Sequence, residues 1–118
     1  ASSARTATLA AMKKRGLLPG DAPAVDGLLA KARRLEAQGK AQDAAAALDG
    51  ARDQIGKAPI DRGFITAKQK RLSFAADRAP AANQKKIAAL QSDVEKLVVQ
   101  RDYAGANDKL NRAFALLH

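Results

Sequence analysis

The sequence predicts an all-α protein of five to six helices, arranged as two tandem helical hairpins packed as a bundle. Three observations predict it. β-branched residues are few and no stretch alternates apolar and polar for long, so strand signals are missing. Apolar residues recur at spacings of three and four, the period of a helix face. Segment 25–55 also maps onto 87–117 at a fixed offset of 62 residues, without a gap. The matching pairs are those a hairpin would bury: Val25/Ile87, Leu28/Leu90, Leu35/Leu97, Ala44/Ala106, Leu48/Leu110, Ala51/Ala113 and Ile55/Leu117.

Punctuation cuts the chain into six expected helices. The first covers 4–15, with Leu9, Met12 and Leu17 on its apolar edge. Leu18-Pro19-Gly20-Asp21 then turns the chain, and Pro23 suits a first helical position because its missing N–H would be unsatisfied there anyway. The second helix runs over 23–38 with Val25, Leu28, Ala32 and Leu35 on one face, and Gly39 ends it with little strain. The third covers 41–55, where Ala44, Leu48, Ala51 and Ile55 form one stripe. Gly56-Lys57-Ala58-Pro59 breaks the chain, and Asp61 caps a fourth helix over 62–78 with Ile65, Leu72 and Ala76 inward. Pro80 opens a fifth, reaching 100 through Ile87, Leu90, Val94 and Leu97. The sixth spans 103–117 on Tyr103, Ala106, Leu110, Ala113 and Leu117.

The repetition extends backwards at an offset of 56, setting Leu9, Lys14, Arg15 and Leu18 against Ile65, Lys70, Arg71 and Phe74. The units are then three-helix modules, at about 5–57 and 61–118. At 118 residues the chain fits a single all-α domain, 1–118, that contains both.

Hydrophobic residues make up 47%, but many are alanine, and the aromatics are only Phe64, Phe74, Phe114 and Tyr103. Alanine favours helix and close helix approach while burying little area, so thin packing is expected. Cysteine is absent, which excludes disulfides, thiolate metal sites and cysteine nucleophiles. No run approaches the roughly 18 apolar residues of a membrane span. The chain begins with Ala1, which fits a removed signal peptide, a removed transit peptide or a cloning boundary equally. Secreted or periplasmic, organellar and cytosolic settings are all compatible with that start.

The hairpin turns carry a recognisable pattern. In Gln38-Gly39-Lys40-Ala41-Gln42-Asp43-Ala44, and again in Gln100-Arg101-Asp102-Tyr103-Ala104-Gly105-Ala106, a turn leads into a helix with small residues where paired helices touch. The pattern resembles tetratricopeptide repeats and covers 31 residues in each unit. Ala32 with Ala44, and Val94 with Ala106, would be the close-contact pairs. The chain departs from that family in having Leu28 and Leu90 where an early aromatic is usual. Its copies also stand 62 residues apart where about 34 is usual. The resemblance implies a protein-docking role without catalysis.

His118 is the only histidine and the last residue, so His-based triads and zinc sites lack partners. Asp49 and Asp53 lie four apart on one helix, but with Arg52 beside them a solvated charged face explains them more simply than acid/base work. The eight glycines form no phosphate-binding loop. An enzyme is not expected, nor any cofactor or metal.

Net charge is +9, spread as 10 Lys/Arg against 6 Asp/Glu in 1–59 and 11 against 6 in 60–118. Such a surface favours anionic partners. The leading expectation is a non-catalytic interaction or accessory module that docks a protein partner, acidic in character, through its hairpin surfaces. Arg33, Lys40, Arg101 and Tyr103 are the expected partner-binding residues. The alternative is a polyanion binder for nucleic acid, anionic lipid or cell-wall polymer, gripping phosphates through Lys13, Lys14, Arg15, Lys68, Lys70 and Arg71. Cations near a helix end are also accounted for by the helix dipole. Four aromatics, three of them expected in the core, are few for stacking on nucleic acid bases. A third reading is a stabilising bundle with no ligand of its own.

Overall fold

A computed structural model describes residues 2–118. The described chain is 79% helical and contains no strand. Its helices are α1 (Ser2–Arg15), α2 (Pro23–Ala37), α3 (Ala41–Lys57), α4 (Arg62–Ala76), α5 (Ala81–Val99) and α6 (Tyr103–Ala115). The chain divides into two compact units, the first ending at Ala58 and the second running from Pro59 to His118. Helices pack on one another within each unit, as the all-α bundle class requires.

In the first unit α2 and α3 form a hairpin and α1 lies on α3; α1 and α2 lean on α3 rather than on each other. In the second unit α5 and α6 form the hairpin and α4 packs on both. Positions 62 residues apart share their surroundings. Val25 and Ile87, Ala32 and Val94, Ala44 and Ala106, Leu48 and Leu110, and Ala51 and Ala113 are all fully buried, while Leu28 and Leu90, and Leu35 and Leu97, are half-buried. Ile55 and Leu117 differ: Ile55 is buried, whereas Leu117, just beyond the end of α6, is only half-buried.

The offset for the first helix of each unit is corrected by the structure. At 56, Leu9 would match Ile65, yet Leu9 is 50% exposed and Ile65 is fully buried. At 60, Thr8 matches Lys68 and Met12 matches Leu72, and all four are buried. The two registers differ by four residues, about one helical turn, so both keep similar faces aligned. Matching apolar residues alone chose the wrong turn because two buried positions, Thr8 and Lys68, are polar.

Those two polar residues tie each unit together. The Arg52 guanidinium on α3 donates to the Ala4 carbonyl oxygen (3.1 Å) and to Thr8 Oγ1 (2.9 Å) on α1. In the second unit the link runs the other way: Lys68 Nζ on α4 donates to Asn107 Oδ1 (2.7 Å) and Asn111 Oδ1 (2.6 Å) on α6. Phe64, one turn before Lys68, places its ring 5.3 Å from the ammonium. A buried cation survives only when its donors are used, and here the partners are supplied.

Both hairpin turns close in one way. Lys40 N–H donates to the Leu35 carbonyl and Asp102 N–H to the Leu97 carbonyl, each at 2.9 Å. Gly39 and Arg101 hold the left-handed position at φ 76° and 59°. This is the Schellman stop, which glycine fills without strain. Arg101 is the one non-glycine residue with positive φ among the described residues. Arg101→Gly is therefore expected to stabilise the second unit by about 0.5–1 kcal/mol, and Gly39→Arg to destabilise the first by a similar amount. Urea denaturation of the two variants checks this. Asp102 adds a cap that Lys40 does not, accepting from Gly105 N–H at 2.9 Å.

Candidate functional site

A surface concavity lies in the first unit, where α1 and α2 stand apart over α3. It is an open groove of about 420 Å³, lined by Leu9, Met12, Leu17, Leu18, Pro19, Leu29 and Ala30, with Lys13, Asp26 and Arg33 among its polar neighbours. At one end of the two helices the Arg5 guanidinium pairs with the Glu36 carboxylate and ties α1 to α2. At the other end the α1–α2 turn crosses.

That turn is built by local chemistry. Gly16 takes φ 71°, and Leu17 N–H donates back to the Met12 carbonyl (2.9 Å), which folds buried Leu17 under the helix end. Leu18 N–H donates to the buried Asp21 carboxylate (2.8 Å), and Gly20 N–H donates to Asp26 Oδ2 (3.0 Å). Pro23 then opens α2. Leu17, Leu18 and Pro19 are thereby presented to the groove by a turn with its own hydrogen bonds.

The electrostatics of the groove are one-sided. Asp26 is engaged by the Gly20 amide. Lys13 and Arg33 are exposed, and neither is in an ion pair among the described residues. The groove therefore offers an apolar floor beneath two available cations. A second depression, between α2 and α3, is lined by Leu28, Lys31, Leu35, Asp43, Ala46 and Ala47; its two charges are opposite and its surface is more polar.

The residues expected to bind a partner are scattered. Arg33 borders the groove. Lys40 is exposed at the α2–α3 turn, and Arg101 is exposed at the α5–α6 turn. Tyr103 is half-buried and packs on the core of the second unit. Of the expected polyanion set, Lys13, Lys14 and Lys70 are exposed. Lys68 does not face solvent at all: it is 0% exposed and spends its ammonium on Asn107 and Asn111. The Arg15 guanidinium donates to the Ala58 carbonyl, and its Nε is buried without a hydrogen-bond partner. Arg71 is half-buried with its guanidinium 5.9 Å from the centre of the Phe114 ring.

Three apolar features escaped sequence reasoning. Leu29 falls off the Val25–Leu28–Ala32–Leu35 stripe, and that misfit was the available signal for the groove wall. Leu9 was assigned to the apolar edge of the first helix but stands half in solvent. Phe74, matched to Leu18 in the sequence, is 76% exposed with Arg78 5.6 Å from its ring centre.

Among the described residues, no three metal-ligating side chains cluster, and no helix is long and apolar enough to cross a membrane. Asp49 pairs with Arg52, and Asp53 with Lys57 at 3.0 Å. No protein-family model, no curated protein and no solved structure resembles this chain at a significant level.

Proposed function

We propose that the chain is a non-catalytic helical interaction module that docks an acidic protein partner. The open α1–α2 groove carries this reading: a surface of partly exposed leucines over a buried methionine, beside available cations, is the kind of patch that marks a protein interface. The tetratricopeptide-like hairpins and the carboxylates engaged in ion pairs support the same reading. The surface offered is narrower than the hairpin faces as a whole, and Arg33 is the expected partner-binding residue that belongs to it.

The polyanion alternative retains one specific observation in its favour. Phe74 is exposed between Lys70 and Arg78, one helical turn away on either side, an aromatic flanked by cations that suits a nucleic acid base or an anionic headgroup. The buried position of Lys68 weakens the ridge first expected on α4.

Affinity capture with the intact chain at moderate salt tests the leading reading. A protein partner that survives the salt, and that is lost with Leu9→Asp combined with Arg33→Glu, is the expected result. Recovery of no stable partner, or of nucleic acid alone, contradicts it.

A further inference from the structure

The two units supply an internal control. In the second unit the positions corresponding to the groove lie on α4 at an offset of 60 and on α5 at 62. Leu9 becomes Gln69, Lys13 becomes Ser73, Leu29 becomes Gln91, Ala30 becomes Ser92 and Arg33 becomes Glu95. Leu9, Leu29 and Ala30 are thus replaced by polar residues, Lys13 by a neutral one and Arg33 by an anion, whereas Met12 at the groove floor keeps an apolar counterpart in Leu72. The surface is also bridged: Gln91 Nε2 donates to Ser73 Oγ (3.3 Å), joining the positions that correspond to Leu29 and Lys13. The α4 and α5 helices also approach each other, where α1 and α2 do not. Most buried positions of the two hairpins are alike, whereas this face is not.

A shared scaffold does not need an uncovered leucine surface, because the second unit does without one. Exposed apolar area costs solubility and invites aggregation, so a leucine-lined groove at this face of one unit, polar at the matching face of the other, calls for a specific occupant. From this, and resting on the docking reading above, we infer that the α1–α2 groove is the binding site for an amphipathic helix with acidic flanks. Such a helix lays leucine-type side chains between Leu9 and Leu29 and sets carboxylates against Lys13 and Arg33. The apolar α2 wall from Leu29 to Arg33, with Asp26 one turn earlier, runs about 10 Å. That length matches two turns of a guest helix, with anchors at i, i+3, i+4 and i+7. Charge excludes a second copy of this chain as the guest. The exposed large apolar residues it could offer are Leu9, one helical turn from Lys13, Phe74, near Lys70 and Arg78, and Val99, two residues from Arg101; docking any of them would set cation against cation.

The test titrates the intact chain with designed 18-residue helices of one leucine face, flanked either by Glu or by Lys, and with oleate as a small anionic amphiphile. Amide shifts locate binding. The Glu-flanked helix should bind with shifts at Leu9, Leu17, Leu29 and Arg33. Installing the residues of the second unit, Leu9→Gln with Leu29→Gln, should weaken it by about tenfold or more, the order expected for unburying a leucine. Arg33→Glu, at an exposed position that leaves folding intact, should reverse the preference toward the Lys-flanked helix. The inference is overturned if the shifts fall in α4–α6, if both helices bind alike, if Arg33→Glu changes nothing, or if oleate saturates the groove while the helix does not bind. A salt-stable protein partner still captured by the Leu9→Gln/Leu29→Gln chain overturns this site and leaves docking standing; capture of no partner overturns docking itself.

Discussion

Leu48→Ala and Leu110→Ala are each expected to destabilise their own unit by about 3 kcal/mol, a large share of what a small domain has to lose. Both leucines are fully buried, and they stand 62 residues apart at the middle of α3 and α6. The neighbours differ. Leu48 clusters with Ala32 and Ala47, with half-buried Leu29 and Leu35 packed against them, whereas Leu110 clusters with Ile65, Leu72, Ile87 and Val94. The buried alanines have no torsions with which to refill a void, and only Leu29 and Leu35 can lean in from the margin, so most of the hole left by Leu48→Ala stays open and the first unit should melt at lower urea. In the second unit longer side chains can lean inward and recover part of the loss. Resonances assigned to each unit, followed through a urea titration, separate the two effects. A loss below about 1 kcal/mol for either variant would mean that its leucine is not a core anchor.

Lys68→Ala should be comparably severe in the second unit, at about 3 kcal/mol. It removes the stem that fills the space beside Phe64 and takes the ammonium from the Asn107 and Asn111 amide oxygens in a place where water does not reach. Lys68→Met keeps the volume and loses only the donor, so it should cost about half as much. The position matching Asn107 in the first unit is Ala45. Asn107→Ala combined with Lys68→Met should therefore cost less than the two single changes added together, by about 1 kcal/mol. Strict additivity in the double-mutant cycle would show that the ammonium and the amide do not interact. Lys68→Ala without measurable cost would show that the side chain leaves the interior in solution.

Much of the fold was legible because helices advertise themselves locally. The turn after α2 was readable from Gly39, and the stop before α4 from Pro59 and Asp61, whose carboxylate accepts from Phe64 N–H at 2.9 Å. The buried stripes of α3 and α6 followed from spacing alone. The start of α6 at Tyr103 was also placed correctly, although the residue in the left-handed stop is Arg101 rather than glycine; the fixed offset from Gly39 supplied what the residue type hid.

The candidate site was less legible, for identifiable reasons. A charged side chain ordinarily signals exposure, and Lys68 departs from that because its amide partners lie 39 and 43 residues further along the chain. Two of the cations expected to grip phosphates are engaged within the fold instead, Arg15 by a backbone carbonyl and Arg71 by an aromatic ring. The groove depends on two helices standing apart, and that separation is a property of packing on α3 that no local pattern encodes. Its chemistry was nevertheless written in the sequence, in the contrast of Leu29 and Arg33 with Gln91 and Glu95. Reading that contrast required the correct register for the first helix of each unit.

An apolar groove on the first unit stands open, and the proposed docking depends on that. The chain contains no cysteine, so single cysteine substitutions report local accessibility without background. Thiol labelling of Leu9→Cys in the free, intact chain should proceed near the rate of Val99→Cys at an exposed helix end, far faster than Leu48→Cys, and should slow when the Glu-flanked helix is added. If Leu9→Cys is instead as protected as Leu48→Cys before any helix is present, the groove is covered by the chain's own structure and the account is wrong.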